Sequence, residues 1–227
     1  MLLGSGLIAR AFKRVKIDNQ NIIIAAGVSD SACVSKTEFY REKKLIEASL
    51  EKNKKIIYFS SQSCANNALK TPYFTHKRNI ERIILQYSPY NVVLRIPQIA
   101  SCLGNSNNLI HAFYNMLVSQ KVITCYDGAK RNLIKDVDIK EVYKHIIKEN
   151  LSGLLSFCAP YNYSPLEILN SMEKVSKLKA KINIIHKKNQ HDIFLCSEEF
   201  SGIEKKIFRS CRDEYLSEII KYAIHKK

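Results

Sequence analysis

The sequence predicts an α/β fold, an open parallel sheet with helices on both faces. Short apolar runs rich in Ile and Val alternate with longer amphipathic runs, and that alternation is the pattern of strand–helix–strand units. The apolar runs are apolar throughout, as strands covered on both sides must be. They end in "GSG", "AAG", "SSQS" and "RIPQ", small or polar endings that let a ligand approach the carboxyl edge of the sheet.

The elements follow in order. "MLLG" is a strand leading into a glycine turn, and "LIARAFKRV" a helix. "NIIIAAG" is a buried strand, and "SKTEFYREKKLIEASLEKN" a helix with apolar positions at helical spacing. "KKIIYFSS" is the next strand. "PYFTHKRNIERIILQY" is a helix whose Pro72 suits the first turn. "YNVVLRIP" is a strand closed by Pro97. "NNLIHAFYNMLVSQ" and "DIKEVYKHIIKEN" are helices, "GLLSFCAP" a strand, and "SPLEILNSMEKVSKL" a helix opened by Ser164 and Pro165. "AKINIIHK" is a late strand and "DEYLSEIIKYAIHKK" a terminal helix. The whole, residues 1–227, reads as one domain, and the stretch from about residue 155 to 227 as including a small lobe.

The chain has 227 residues, 46 % hydrophobic and 25 % charged, an ordinary globular balance. No apolar run reaches the roughly 20 residues that span a bilayer, and "MLLGSGLIARAF" has no basic segment before it, so neither membrane nor export is expected. The formal charge is +15. Its lysines are spread along the chain with no helix-turn-helix and no aromatic-interleaved basic strip, so the expected partners exclude nucleic acid and the positive field suits phosphorylated substrates. Seven cysteines, odd in number and widely spaced without a CxxC, disfavour disulfides and zinc and suit a reducing cytoplasm. His186 and His191 have no supporting Cys/Asp pattern, so no metal is expected.

Three stretches carry chemistry. Gly4-Ser5-Gly6-Leu7-Ile8-Ala9 is a GxGxxA turn between a strand and a helix, where backbone N–H groups can meet a pyrophosphate. Ala25-Ala26-Gly27 ends the second strand with room for a flat ring or a ribose. The third is "YFSSQSCANNALKTPYFTHK", in which a hydroxyl-rich strand end precedes Tyr73 and Lys77, one helical turn apart. A phenol titrates near 10, and an ammonium beside it stabilises the phenolate and lowers that value. A serine hydroxyl can hold the substrate oxygen while the phenol moves its proton. Tyr40–Lys44 and Tyr222–Lys226 share the spacing but follow no such strand end.

The order of these motifs resembles the extended short-chain dehydrogenase/reductases, the NAD-dependent epimerase/dehydratase family and its nucleotide-sugar-modifying branch. "LLGSGLIARAF" is similar to its glycine turn, "IIIAAG" to its fourth strand, "LIEAS" to the helix after it, "IYFSSQS" to its serine strand and "YFTHK" to its YxxxK. "VVLRIPQI", "RNLIKDVDIKEV" and "FCAPYNYSPLEILNSMEK" resemble later segments. The resemblance implies a Rossmann-like sheet, reduced in strand number, and a C-terminal substrate lobe. It implies catalysis by Ser61 (Ser60 being the register alternative), Tyr73 and Lys77. It implies that NAD or NADP is held by Gly4, Ser5, Gly6, Leu7, Ile8, Ala25, Ala26, Gly27, Tyr73, Lys77 and Pro97. A nucleotide-sugar or related phosphorylated sugar would then meet Ser61, Gln98, Arg131 and Asn132. The activity implied is an epimerase, reductase or dehydratase of surface polysaccharide synthesis, cytoplasmic and able to pair as a homodimer. Asp136 and Asp138 read as helix-capping residues.

The chain departs from the family in three places. "KRVKIDNQN" joins the first helix almost directly to "IIIAAG", where the family has two further strands. The loop between Ser61 and Tyr73 is short. The asparagine of the helix after "AAG" is replaced, near Glu38. These departures motivate the other reading, a Rossmann-like binding or regulatory protein without turnover.

Overall fold

A computed structural model of the chain describes residues 1–50, 54–103, 108–186 and 194–224. Its centre is a five-stranded parallel sheet, in the order β1 (Leu2–Leu3), β2 (Asn21–Ile24), β3 (Lys55–Ser61), β4 (Val92–Ile96), β8 (Gly153–Ser156). Every residue of β2 is buried, because helices cover both sides of it. Alternate residues therefore feed two cores. Ile23, Ile57, Phe59, Val92 and Leu94 face one. Ile22, Ile24, Ile56, Tyr58 and Val93 face the other.

The helices divide between those faces. α1 (Leu7–Phe12) places Ala11 and Phe12 in the first core, with the Phe12 ring 5.7 Å from Phe59. α5 (Asp136–Lys148) joins it there through Ile139, Val142, Tyr143 and Ile146. α2 (Lys36–Leu50) and α3 (Pro72–Tyr87) lie on the opposite face through Ile46, Leu50, Ile80 and Ile84. The crossovers β1–α1–β2 and β2–α2–β3 step the same way along parallel strands, yet their helices lie on opposite sides. The two connections thus have opposite hands. β3–α3–β4 agrees with β2–α2–β3, while the long connection from β4 to β8, which carries α5 on the first face, agrees with β1–α1–β2.

The arrangement keeps a crevice. A ligand crevice forms where neighbouring strands send their helices to opposite faces. Here that happens between β1 and β2, without any reversal of strand order, and "GSG" and "AAG" form its two lips.

The helix boundaries follow from their caps. Thr71 Oγ1 accepts from the Phe74 amide with Pro72 in the first turn of α3. Ser164 and Glu167 form a capping box that opens α6 (Pro165–Ser176). Asp138 accepts from the Lys135 amide at 2.9 Å at the start of α5. Asp136 accepts from Ser101 Oγ at 2.6 Å, so both carboxylates serve capping and loop positioning.

Beyond β4 the chain builds elements that its sequence pattern does not announce. β5 (Gln98–Ala100) follows Pro97 and pairs with β7 (Arg131–Lys135), which pairs antiparallel with β9 (Asn162–Tyr163). The late strand β10 (Lys181–Ile185) lies parallel to β6 (Val122–Tyr126) in a separate two-stranded sheet. α4 (Leu109–Val118), α7 (Ser201–Ile207) and α8 (Arg212–Ile224) complete this region. Their buried side chains, among them Ile110, Phe113, Ile203, Leu216 and Ile219, belong to the same cluster as Phe12 and Phe59. All seven cysteines are free thiols. Among the described residues no helix is long and apolar enough to cross a membrane.

Candidate active site

The site forms where β3 ends and α3 begins. Strand alternation sends Ser60 and Ser61 to opposite sides. Ser60 is buried and donates to Glu81 Oε1 at 2.6 Å, and Glu81 is held by Arg95 through Nε at 3.0 Å and Nη2 at 2.6 Å. Ser60 is thereby fixed in a network beneath α3. Ser61 is half-buried at the strand end, and its hydroxyl lies near enough to the Tyr73 phenol to lower that group's pKa. Of the two serines, Ser61 is the one beside Tyr73.

Lys77, one turn after Tyr73, is 3 % exposed. Its Nζ lies 2.7 Å from Tyr58 OH and 3.0 Å from Glu42 Oε1, and it sits 5.9 Å from the centre of the Tyr73 ring. Glu42 is fully buried. It also accepts from Tyr58 OH at 2.6 Å and from the Val28 amide at 2.8 Å. His76 Nε2 lies 3.0 Å from Glu42 Oε2, and its ring stacks on Phe39 at 4.5 Å. A buried carboxylate, an ammonium, a phenol and an imidazole thus form one network.

The electrostatics follow from that packing. Burial alone would push the Glu42 carboxyl upward. The His76 hydrogen bond, the Lys77 charge and the bonds from Tyr58 and the Val28 amide outweigh it and bring the pKa down to about 2. Tyr73 moves the other way. Burial, then Cys64, then Glu42 push its phenol above the ordinary value, and the Ser61 hydroxyl beside it pulls the other way. Tyr73 is therefore protonated at neutral pH, a proton donor in the resting site.

The helix after "AAG" contributes Glu42 rather than a residue near Glu38. Glu38 is exposed and pairs with Arg41 at 2.9 Å. Neither Glu42 nor Tyr58 stands out by type, since glutamates usually cover solvated helix faces. The available signal was position: Glu42, Ile46 and Leu50 recur at helical spacing, which puts a carboxylate on the apolar stripe.

The other expected residues divide into groups. Gly4 has φ +129°, and a Cβ there would fall 2.3 Å from the Ala25 carbonyl oxygen, so the glycine turn closes against the end of β2. Ser5 and Gly6 are exposed, and Leu7, Ile8, Ala25 and Ala26 half-buried, around the lips of the crevice. The space beside Gly27 holds no ring or ribose: a Cβ there would lie 2.5 Å from Lys77 Nζ and 2.6 Å from Glu42 Oε1, so the ion pair fills it. Pro97 is half-buried and Gln98 exposed at the β4–β5 junction. The Arg131 guanidinium donates to the Lys130 carbonyl at 2.7 Å. Asn132 is directed away from a substrate role. It is 1 % exposed, its amide nitrogen donates to the Ala159 and Tyr161 carbonyls and to Asn162 Oδ1, and its oxygen accepts from the Ala159 amide at 2.9 Å. It clips the turn after β8 onto β7. Cys64 is buried packing against Tyr73 and Phe74. His186 pairs with Asp127 at 2.5 Å, while His191 lies outside the described residues. Among the described residues no group of three or more His, Cys, Asp or Glu side chains is placed to hold a metal.

No protein-family model matches the chain, and no curated protein matches it. Solved structures do. UDP-N-acetylglucosamine 4-epimerase from Bacillus cereus aligns over 91 % of this chain and 79 % of its own, at 17 % identity and TM-score 0.67. UDP-glucose 4-epimerase from Thermus thermophilus, in complex with NAD, aligns over 95 % and 80 %, at 12 % identity and TM-score 0.69. dTDP-glucose 4,6-dehydratase from Bacillus anthracis, in complex with NAD, aligns over 89 % and 72 %, at 14 % identity and TM-score 0.66. At these identities the likeness is one of fold: the chain shares the Rossmann-like α/β fold of these structures.

Proposed function

We propose that the chain is an NAD(P)-dependent oxidoreductase or epimerase acting on a nucleotide-sugar in the cytoplasm. The observation that carries this reading is the meeting of Ser61, Tyr73 and Lys77 at the carboxyl end of the sheet, on a fold shared with nucleotide-sugar epimerases and dehydratases.

In this reading Tyr73 holds the proton exchanged with the sugar oxygen, and Ser61 orients that oxygen by hydrogen bonding. Lys77 holds the local charge, tempered by Glu42. The nicotinamide, when bound, supplies the hydride acceptor or donor. The region of β5–β10 and the residues after about 155 would form the substrate side, where Gln98 and Arg131 stand, and a role in surface polysaccharide synthesis fits such a substrate.

The test joins binding and turnover. Titration with NAD+, NADH, NADP+ and NADPH, then assays on UDP- and dTDP-sugars, should give dinucleotide binding and turnover. Tyr73→Phe should lose about 100-fold or more in kcat with binding unchanged. Absence of dinucleotide binding at millimolar concentration would sink the reading. The engagement of Lys77 by Glu42 and Tyr58 favours a second one, a binding protein without turnover, which predicts dinucleotide binding and no activity on any sugar.

A further inference from the structure

We propose that the crevice grips only the nicotinamide mononucleotide half of a dinucleotide and has no pocket for the adenosine half. This rests on the NAD(P) reading above and concerns which part of such a ligand the residues can hold. A dinucleotide crevice in a doubly wound sheet is walled by two strand–helix–strand–helix–strand halves, one for each nucleotide. The sheet contains one such half, β2–α2–β3–α3–β4. The other side is reduced to β1 and α1. The chain leaves α1 at Phe12 and enters β2 at Asn21, and this internal connection is far shorter than the roughly 30 residues of a βαβ unit. Among the described residues nothing pairs with the far side of β1.

The side chains that remain there are committed elsewhere. Leu2 packs against the first core and Leu3 against the second, so neither offers a face to a purine. α1 turns Ala11 and Phe12 inward and leaves Arg10, Lys13 and Arg14 exposed. The glycine turn is drawn in as well. Gly4 is required by its positive φ and by the Ala25 carbonyl against it, a packing reason that needs no pyrophosphate. Beyond the "AAG" lip, at the end of β3 and the start of α3, the site is furnished differently. Ser61, Tyr73 and Lys77 converge there, backed by an apolar wall of Val28, Cys64 and Phe74. Grip on the ligand is confined to one side of the crevice.

The test is direct binding to the full chain by calorimetry, with NADH, NADPH, reduced nicotinamide mononucleotide and ADP-ribose as probes. The expected result is dissociation constants for NADH, NADPH and the mononucleotide within about 3-fold of one another, a difference of under about 0.7 kcal/mol. ADP-ribose should neither bind nor displace them. If NADH or NADPH binds more than about 10-fold tighter than the mononucleotide, about 1.4 kcal/mol, or if ADP-ribose competes, the adenosine half is gripped. The inference then falls while the NAD(P) reading stands. If none of the nicotinamide probes binds, the NAD(P) reading falls and takes the inference with it.

Discussion

Glu42 on α2 and Lys77 on α3, 35 residues apart in sequence, meet at 3.0 Å with almost no exposure to solvent. A buried pair of this kind is strongly destabilising to break from one side, because the partner is left charged and unpaired. Glu42→Ala and Lys77→Ala should each cost about 3–5 kcal/mol. The double variant Glu42→Ala/Lys77→Ala should cost much less than their sum. Urea unfolding of the four proteins measures the coupling, and additive losses would show that the pair does not act as a unit.

The same carboxyl sets a pH dependence. Its folded pKa, about 2, lies below the ordinary 4.5. Its contribution is therefore complete above about pH 5 and is lost as pH falls toward 2. A depression of that size corresponds to roughly 3 kcal/mol. Stability measured between pH 7 and pH 2 should decline in the wild type, and Glu42→Gln should be weaker at neutral pH but flatter across the window. Parallel curves would remove Glu42 as the source.

Ser60 and Ser61 are adjacent and should separate cleanly. Ser60→Ala leaves Glu81 short of a buried donor and should cost about 1–3 kcal/mol in stability. Ser61→Ala should leave unfolding nearly unchanged and lower kcat on any accepted sugar by about 10-fold or more. Chemical denaturation beside steady-state kinetics checks both. The reverse pattern would move the site to the Ser60 register.

Asn132 should behave as a structural residue. Asn132→Ala removes the clip between β7 and the turn after β8 and strands several buried backbone groups, at about 2–4 kcal/mol. Dinucleotide affinity of the folded protein should not change. A loss of affinity without a loss of stability would restore Asn132 to the substrate side.

What the sequence revealed depended on how locally each feature is encoded. α3 begins at Pro72 and ends at Tyr87, as read, because Thr71, Pro72 and the apolar spacing all act within that segment. β2 and β3 are uniform apolar runs, and burial on both faces leaves no other use for them. β5, β7 and β9 escaped because each is short and owes its existence to pairing with a distant segment. β6 alternates buried and exposed residues in "VITCY", a period that was present but set between turns. Ser61, Tyr73 and Lys77 were legible as a motif. Glu42 was not, because its role comes from a partner on another helix, as does the filling of the space beside Gly27.

The short connection at the start of the chain also bears on how the molecule opens. β1 is two residues at a sheet edge, tied to β2 through the Ile23 amide on the Met1 carbonyl and the Ala25 amide on the Leu3 carbonyl, both at 2.8 Å. α1 is anchored separately, by Phe12 against Phe59 and Tyr143. Strand and helix are held by separate contacts, so the strand is expected to open before the helix undocks. Amides of Ile23 and Ala25 should exchange with deuterium well before those of β3, which lies between two neighbours. That end of the crevice would then behave as a hinged flap, and its opening, rather than global unfolding, would set how readily a ligand enters and leaves.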